Sequence, residues 1–485
     1  MPRVLVVAFA CLYSATLIAQ AKLSDDVRKY VSVDAPTIAI THVRVIDGTG
    51  EAPREDQTIV IANGKIQRVG ASASVPVPSG AKVIDKSGYT VMPGLVGMHE
   101  HLYYTASVLL REKGGLVPPG YFINEIPYTA PRLYLAAGVT TARTTGSVEP
   151  FTDLNLKAAI DKGRMPGPKL FLTAPYLEAS PGGEFAPQLY ELKSAADAQR
   201  WVAFWADLGF TSFKGYMNLT RAQLKAAVDE AHRRGLKLTA HLCSIGYREA
   251  AEIGVDNLEH GFLVDTEFTP NKKPDECPSG REAEEAFLKL DPKSAEIQGL
   301  FRTLIDKKVA VTSTLPVFES GIGLRPPLQQ RVFDAMSPES RTSYLRIKAG
   351  RPPGGTEEAY LKKGMELELA FVRAGGTLLA GADPTGNGGV LPGFGDQREL
   401  ELLVEAGFTP VEAIKIATLN GAQFLGVGDQ VGSIEEGKQA DLVLISGNPA
   451  KDINDVEKVE TVFKDGIGYD SQKLIESVRG QVGIR

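Results

Sequence analysis

Pro93-Gly94-Leu95-Val96-Gly97-Met98-His99-Glu100-His101 joins a short apolar run to a His-x-His pair. In a strand, alternate residues share a face, so His99 and His101 emerge on one side and Glu100 turns to the other, as a supporting or structural residue. The pair alone carries little weight. With 6 histidines in 485 residues, chance supplies roughly 0.07 such spacings, and alternation also serves ordinary packing.

Working outward, similar apolar runs recur at 95–98, 139–142, 169–173, 210–213, 236–240, 257–259, 309–313 and 377–382, with helical stretches between them. One such stretch has Thr220 as cap, Gln223 completing a capping box, an apolar stripe of Leu224, Ala227, Val228 and Ala231, and Gly235 as stop. Thr409-Pro410-Val411-Glu412 opens another in the same way. Eight strands alternating with helices point to an α/β chain folded as a (β/α)8 TIM barrel. An open doubly wound sheet would want a glycine-rich phosphate turn after its first strand, and here Gly94 and Gly97 precede the strand's end and lead into histidines.

The flanking segments read differently. Short β-rich runs and turns fill 37–92, with Asn63-Gly64 marking a hairpin, and runs of the same character occupy 440–445 and 459–463. Both chain ends are therefore expected to build one small composite β-sandwich domain from 22–92 and 431–485, around a barrel at 93–430. Residues 1–21 read as a signal peptide: Arg3, an apolar stretch at 4–19, then Ala19-Gln20-Ala21 as a cleavage pattern. The stretch is short of the ~20 residues that span a bilayer, and no second one follows. A lipoprotein reading through Cys11 has a poor lead-in. The expectation is an exported, periplasmic or secreted chain without a membrane span. Removing the leader leaves Cys243 and Cys277, for which a disulfide and two separate thiols stand equal.

A net charge of −6, with no basic run interleaved with aromatics, gives no field for nucleic acid. Apolar residues at 43%, charged at 23%, 50 glycines and 30 prolines fit a loop-rich globular enzyme. A homo-oligomer is compatible with this composition. The polar stretch at 266–300 reads as a loop at the barrel mouth, either a lid or a solvated excursion.

Candidate ligands sit where barrel strands end, the positions that converge on one mouth. His99 and His101 end the first run; Lys214 ends the fourth, in Phe213-Lys214-Gly215-Tyr216; His241 ends the fifth; His260 ends the sixth, in Asn257-Leu258-Glu259-His260-Gly261; Asp383 ends the eighth, in Gly381-Ala382-Asp383-Pro384. Singly, each histidine would be read as a satisfied core residue. His42 and His232 lie away from these ends and are assigned no chemistry.

This pattern resembles the amidohydrolase superfamily, whose members carry His-x-His on strand 1, lysine on strand 4, single histidines on strands 5 and 6, and aspartate on strand 8. Pro93-Gly94-Leu95-Val96 and Gly432-Ser433-Ile434-Glu435-Glu436-Gly437 agree with it. Gly138-Val139-Thr140-Thr141 and Met165-Pro166-Gly167-Pro168 look like its imidazolonepropionase-related, prolidase-like branch. The resemblance implies two divalent metal ions, zinc foremost, since imidazoles suit zinc and a bridging carboxylate holds two cations together. It implies that Lys214 is carboxylated to form that bridge, that His99, His101 and Asp383 serve one metal, and that His241 and His260 serve the other. A metal-bridging hydroxide would attack the carbonyl, and Asp383 would move the proton to the leaving nitrogen.

The substrate is then a small molecule with a carbon–nitrogen bond, such as a dipeptide, an N-acyl amino acid or a cyclic amide. An esterase or lactonase on the same site is the alternative, and a non-catalytic metal-containing binding protein is disfavoured by Asp383. Three residues are candidates for substrate contact. Tyr216 resembles the branch's Lys-x-Tyr element, Arg143 could fork onto a carboxylate or form a structural ion pair, and Glu184 stands in Ser180-Pro181-Gly182-Gly183-Glu184 where the branch often has histidine.

Overall fold

The computed structural model describes residues 22–102, 104–106, 111–112, 115–116, 123–179, 188–351, 353–385 and 389–483. The leader at 1–21 and Glu184 lie outside the described residues. Among the described residues, no helix is long and apolar enough to cross a membrane.

All eight anticipated runs are strands: Leu95–Glu100, Val139–Thr144, Lys169–Phe171, Ser212–Gly215, Lys237–Ala240, Asn257–Glu259, Ala310–Ser313 and Leu378–Ala380. Every pairing among them is parallel, and helices such as Ala195–Asp207 and Arg221–Arg233 connect them. The result is a TIM-barrel-like α/β fold. Its ladders run over three strands and then five, whereas an uninterrupted ring of eight was expected. At one seam, isolated parallel bridges join Thr173 to Ser212 and Leu177 to Gly215. At the other, the eighth strand is only three residues long, and the Asp383 N–H donates to the His99 carbonyl at 2.9 Å. Gly381 allows that approach, because a Cβ there would stand 2.4 Å from the His99 nitrogen.

Local signals acted as read. Thr220 and Gln223 form the reciprocal capping box, as do Thr409 and Glu412. Leu224, Ala227, Val228 and Ala231 turn inward.

The chain ends meet in one nine-stranded mixed sheet, in which Thr90–Pro93 lies between Leu442–Ile445 and Thr37–Val45. The hydrogen bonding links the strands of both ends continuously. Period-2 alternation sends Ile38, Ile40, Ile59, Ile61, Leu442 and Leu444 into one apolar cluster, while Val443 and Ile445 join the barrel's core. Lys169 on the third barrel strand ties the two parts by reaching Asp441 at 2.5 Å and Asp465 at 2.8 Å.

The stretch at 266–300 is not a plain loop. It contains the helix Gly280–Phe287 and the start of Ala295–Asp306, because Ser279 and Ser294 each accept a backbone N–H three residues on. A disulfide joins Cys277 to Cys243, with Cα atoms 5.0 Å apart, and Asp275 binds Arg221 at 3.1 Å.

Candidate active site

Strand alternation sets the first part of the site. His99 and His101 point into the mouth, while Glu100 turns away, accepting from the Tyr134 hydroxyl at 2.9 Å and the Ala382 N–H at 3.1 Å. Burial and the neighbouring Asp396 raise the Glu100 pKa well above the carboxylate range, so it supports the strand rather than offering a charge. The reading of Glu100 as a structural residue agrees with this geometry.

The structure brings the six anticipated residues together. The Lys214 Nζ lies 3.4 Å from the His99 Nε2. Asp383 Oδ1 is 3.3 Å from the His101 Nε2 and 3.8 Å from the His99 Nε2, and its Oδ2 is 3.8 Å from the His260 Nδ1. The His260 ring centre is 4.5 Å from that of His99 and 4.4 Å from that of His241. Both His260 (φ 69°) and Asp383 (φ 50°) occupy the left-handed region, which non-glycine residues rarely adopt except where surroundings fix them. Here that conformation turns the side chains at the ends of two strands toward one point.

Burial controls the charge states. It pushes His101 down to about 4 and, together with Lys214, His241 down to about 3; His260 is also held well below its ordinary value. The imidazoles are thus neutral at pH 7 and have lone pairs to offer. Burial alone would raise Asp383, but His99 and His101 hold its carboxyl well below the usual range. Lys214 is only 2% exposed, has no ion pair among the described residues, and burial lowers it to about 8.

This donor set fits divalent cations. One ligand atom from each of His99, His101 and Asp383 can be chosen so that all lie within 4.8 Å of one another, and the Asp383 Oδ1, which faces the Nε2 atoms of His101 and His99, is buried without a hydrogen bond. Buried polar atoms ordinarily find partners, so a carboxylate oxygen left open between two imidazole nitrogens is suited to an ion.

Glu259 belongs to the site, although its sequence position gave no chemical signal. Its Oε2 accepts from the His99 Nδ1 at 2.7 Å, fixing that ring so that Nε2 faces Lys214 and Asp383. Arg143 holds Glu259 in turn, donating to its Oε1 at 2.7 Å, to the Asn257 Oδ1 at 2.9 Å and to the Met98 carbonyl. Burial opposes ionisation of Glu259, yet Arg143 and His99 hold it down at about 2. Arg143 is therefore corrected as a substrate contact: it is fully buried beneath the histidines, with its guanidinium committed to the protein.

Above the cluster opens a cavity of about 390 Å³. His101, Lys214, His241, His260 and Asp383 line its floor, and Tyr216 lines its wall. Tyr104, not singled out from sequence, stacks on His101 at 4.0 Å. Val264 also reaches the cavity, but no described residue of 266–300 does. His42 and His232 pair with Asp56 and Asp256 far from it.

A family model described as the Amidohydrolase family matches residues 90–269 and 374–467, segments that contain all six clustered residues. The chain is 25% identical over 418 residues to a dihydroorotase of Pelotomaculum thermopropionicum, covering 81% of this chain and 84% of that one. It is 37% identical over 247 residues to an ochratoxinase of Aspergillus niger, covering 50% and 38%. Its structure is similar to the crystal structure of a protein from Bifidobacterium longum described as a putative prolidase. The TM-score is 0.64 at 26% identity, covering 91% of this chain and 98% of that one.

Proposed function

We propose that this chain, which belongs to the amidohydrolase family and is a hydrolase of carbon–nitrogen bonds, works as an exported two-metal enzyme on an amide or peptide-like bond of a small molecule. Dipeptides, N-acyl amino acids and cyclic amides are the substrate forms to consider. The observation that carries this reading is the convergence of three neutral imidazoles, Lys214 and the Asp383 carboxylate on one cavity floor, with the His99 ring packed against His260 just beneath. The catalytic unit is residues 93–430, with 22–92 and 431–485 forming the second domain and 1–21 the leader. The leader's sequence and the Cys243–Cys277 disulfide support export, since such bonds persist in oxidising compartments.

His99, His101 and Asp383 would hold one zinc ion and His241 with His260 the other. Such ions, when bound, acidify water and polarise a carbonyl. Lys214 would bridge them as its carbamate. In support, an ammonium without a carboxylate partner, surrounded by imidazoles, is costly to bury, and the neutral amine is the form that adds carbon dioxide. Glu259 keeps the His99 ring in place. Asp383 accepts a proton from the attacking water through its carboxylate and delivers it to the leaving nitrogen. Water is thereby added across the carbon–nitrogen bond, oxygen to the carbonyl carbon and hydrogen to the amine. Tyr216, on the cavity wall, is placed to contact the substrate.

The test is to assay the zinc-loaded protein and Asp383→Asn on dipeptides, acyl amino acids and cyclic amides. Cleavage by the parent and a loss of roughly 10²–10⁴-fold in kcat in the variant, the usual size of acid–base effects, are expected. Equal turnover in both would remove Asp383 from its role.

A further inference from the structure

The described lining of the cavity divides into two halves. Its charged and metal-binding groups all lie on the floor. The walls are made by Ile123, Val148, Leu189, Val264, Val317 and Phe318, with the rings of Tyr104, Tyr176 and Tyr216 between them. No lysine or arginine other than Lys214 and no carboxylate other than Asp383 is among the described lining residues.

Three polar groups on the walls, those of Gln188, Thr385 and Tyr104, are already engaged by the protein. The Gln188 amide is spent on Ile123: its Nε2 donates to the Ile123 carbonyl at 2.7 Å, and its Oε1 accepts the Ile123 N–H at 2.5 Å. The Thr385 hydroxyl donates to the Asp383 carbonyl at 3.2 Å. The Tyr104 hydroxyl donates to the Gly146 carbonyl at 2.8 Å, which leaves its ring, not its oxygen, toward the cavity. Tyr176 packs edge-on against Tyr216 at 4.9 Å. Gly146 is required beneath this ring, because a Cβ there would stand 2.4 Å from the Tyr176 Cζ.

A charged substituent lodged among these described wall residues gives up its water and meets no charged side chain of theirs, which is expensive. An apolar or aromatic one gains the burial of its surface and edge or face contacts with the rings. The volume is of the order that admits a ring system. We propose that the group flanking the scissile bond in this cavity is uncharged and bulky, an aryl or branched alkyl group, so that the enzyme's substrates are amides of apolar acids or amines. This rests on the amide-hydrolase reading above and narrows it: dipeptides and acyl amino acids with a charged side chain at this position are excluded.

The experiment uses the zinc-loaded full-length protein and two matched series of amides that differ in one substituent, phenyl against carboxylate or ammonium. Each amide is assayed for turnover. Its uncleavable analogue, with the amide nitrogen replaced by methylene to give a neutral ketone, is measured for affinity by calorimetry. The expected result is at least tenfold tighter binding and a correspondingly higher kcat/KM for the phenyl members. Val317→Arg, which adds a cation to the wall, is expected to move the preference at least tenfold toward the carboxylate members. Equal or tighter binding of the charged analogues, or binding of none, overturns the inference. Tighter binding of the phenyl analogues without cleavage of any amide keeps this description of the cavity and contradicts the hydrolase reading instead. A Val317→Arg protein that folds with an unchanged preference removes the wall from specificity.

Discussion

Arg143, Glu259 and His99 form a buried line of charge in which each member makes sense only with the next. The guanidinium stays protonated and needs a counter-ion; Glu259 supplies it and spends its second oxygen on His99. A carboxylate behind a metal-ligating histidine typically contributes 10–100-fold in metal affinity. Glu259→Gln is therefore expected to weaken zinc binding by that factor, read by chelator competition, with the fold retained by far-ultraviolet circular dichroism. Affinity unchanged from the parent would mean that Glu259 only packs. Arg143→Met leaves Glu259 buried without its cation and should cost about 3–5 kcal/mol of stability, measurable by denaturant unfolding. From sequence, Arg143 offered two readings, and its partner lies 116 positions away. A contact across that distance leaves no local pattern to read. Lys214 and Asp383 were legible because they end apolar runs.

At the scale of elements, period-2 alternation and capping chemistry made the strands and helices readable, since both act within a few residues. The seams were not readable. They depend on Gly381 meeting His99 and on single bridges between Thr173 and Ser212, which are packing events between distant segments. Gly381→Ala should push the eighth strand from the first and reduce zinc binding as well as stability; retention of both would contradict the close approach. The 266–300 segment was underestimated because its polar composition hid two serine-capped helices. It is fastened by the Cys243–Cys277 bond, whose sequence separation of 34 residues corresponds to about 3–4 kcal/mol in the chain-entropy account. Cys277→Ser should lower the unfolding free energy by about that amount. An unchanged midpoint under non-reducing conditions would show that the bond does not form.

For the whole molecule, buried acids set the response to pH. Burial raises Glu368 to about 8 and Asp153 to about 7, against ordinary values of 4.5 and 3.8. The folded chain thus keeps protons that the unfolded chain has lost, and stability falls as pH rises from the unfolded values toward 8. Each unit of difference is worth about 1.4 kcal/mol. Glu368→Gln removes its share, so the drop in melting midpoint between pH 5 and pH 8 should shrink; an unaltered slope would contradict the assignment. Glu259 and Asp383 act with the opposite sign, and their contribution is lost as pH falls below the ordinary carboxylate range.

Two metal ions on six side chains are the centre of the account, and zinc titration of chelator-stripped protein tests this most directly. Amide cleavage should be absent after stripping and return with a break at two equivalents of zinc per chain. Cleavage that survives stripping, or a break at one equivalent, would contradict it.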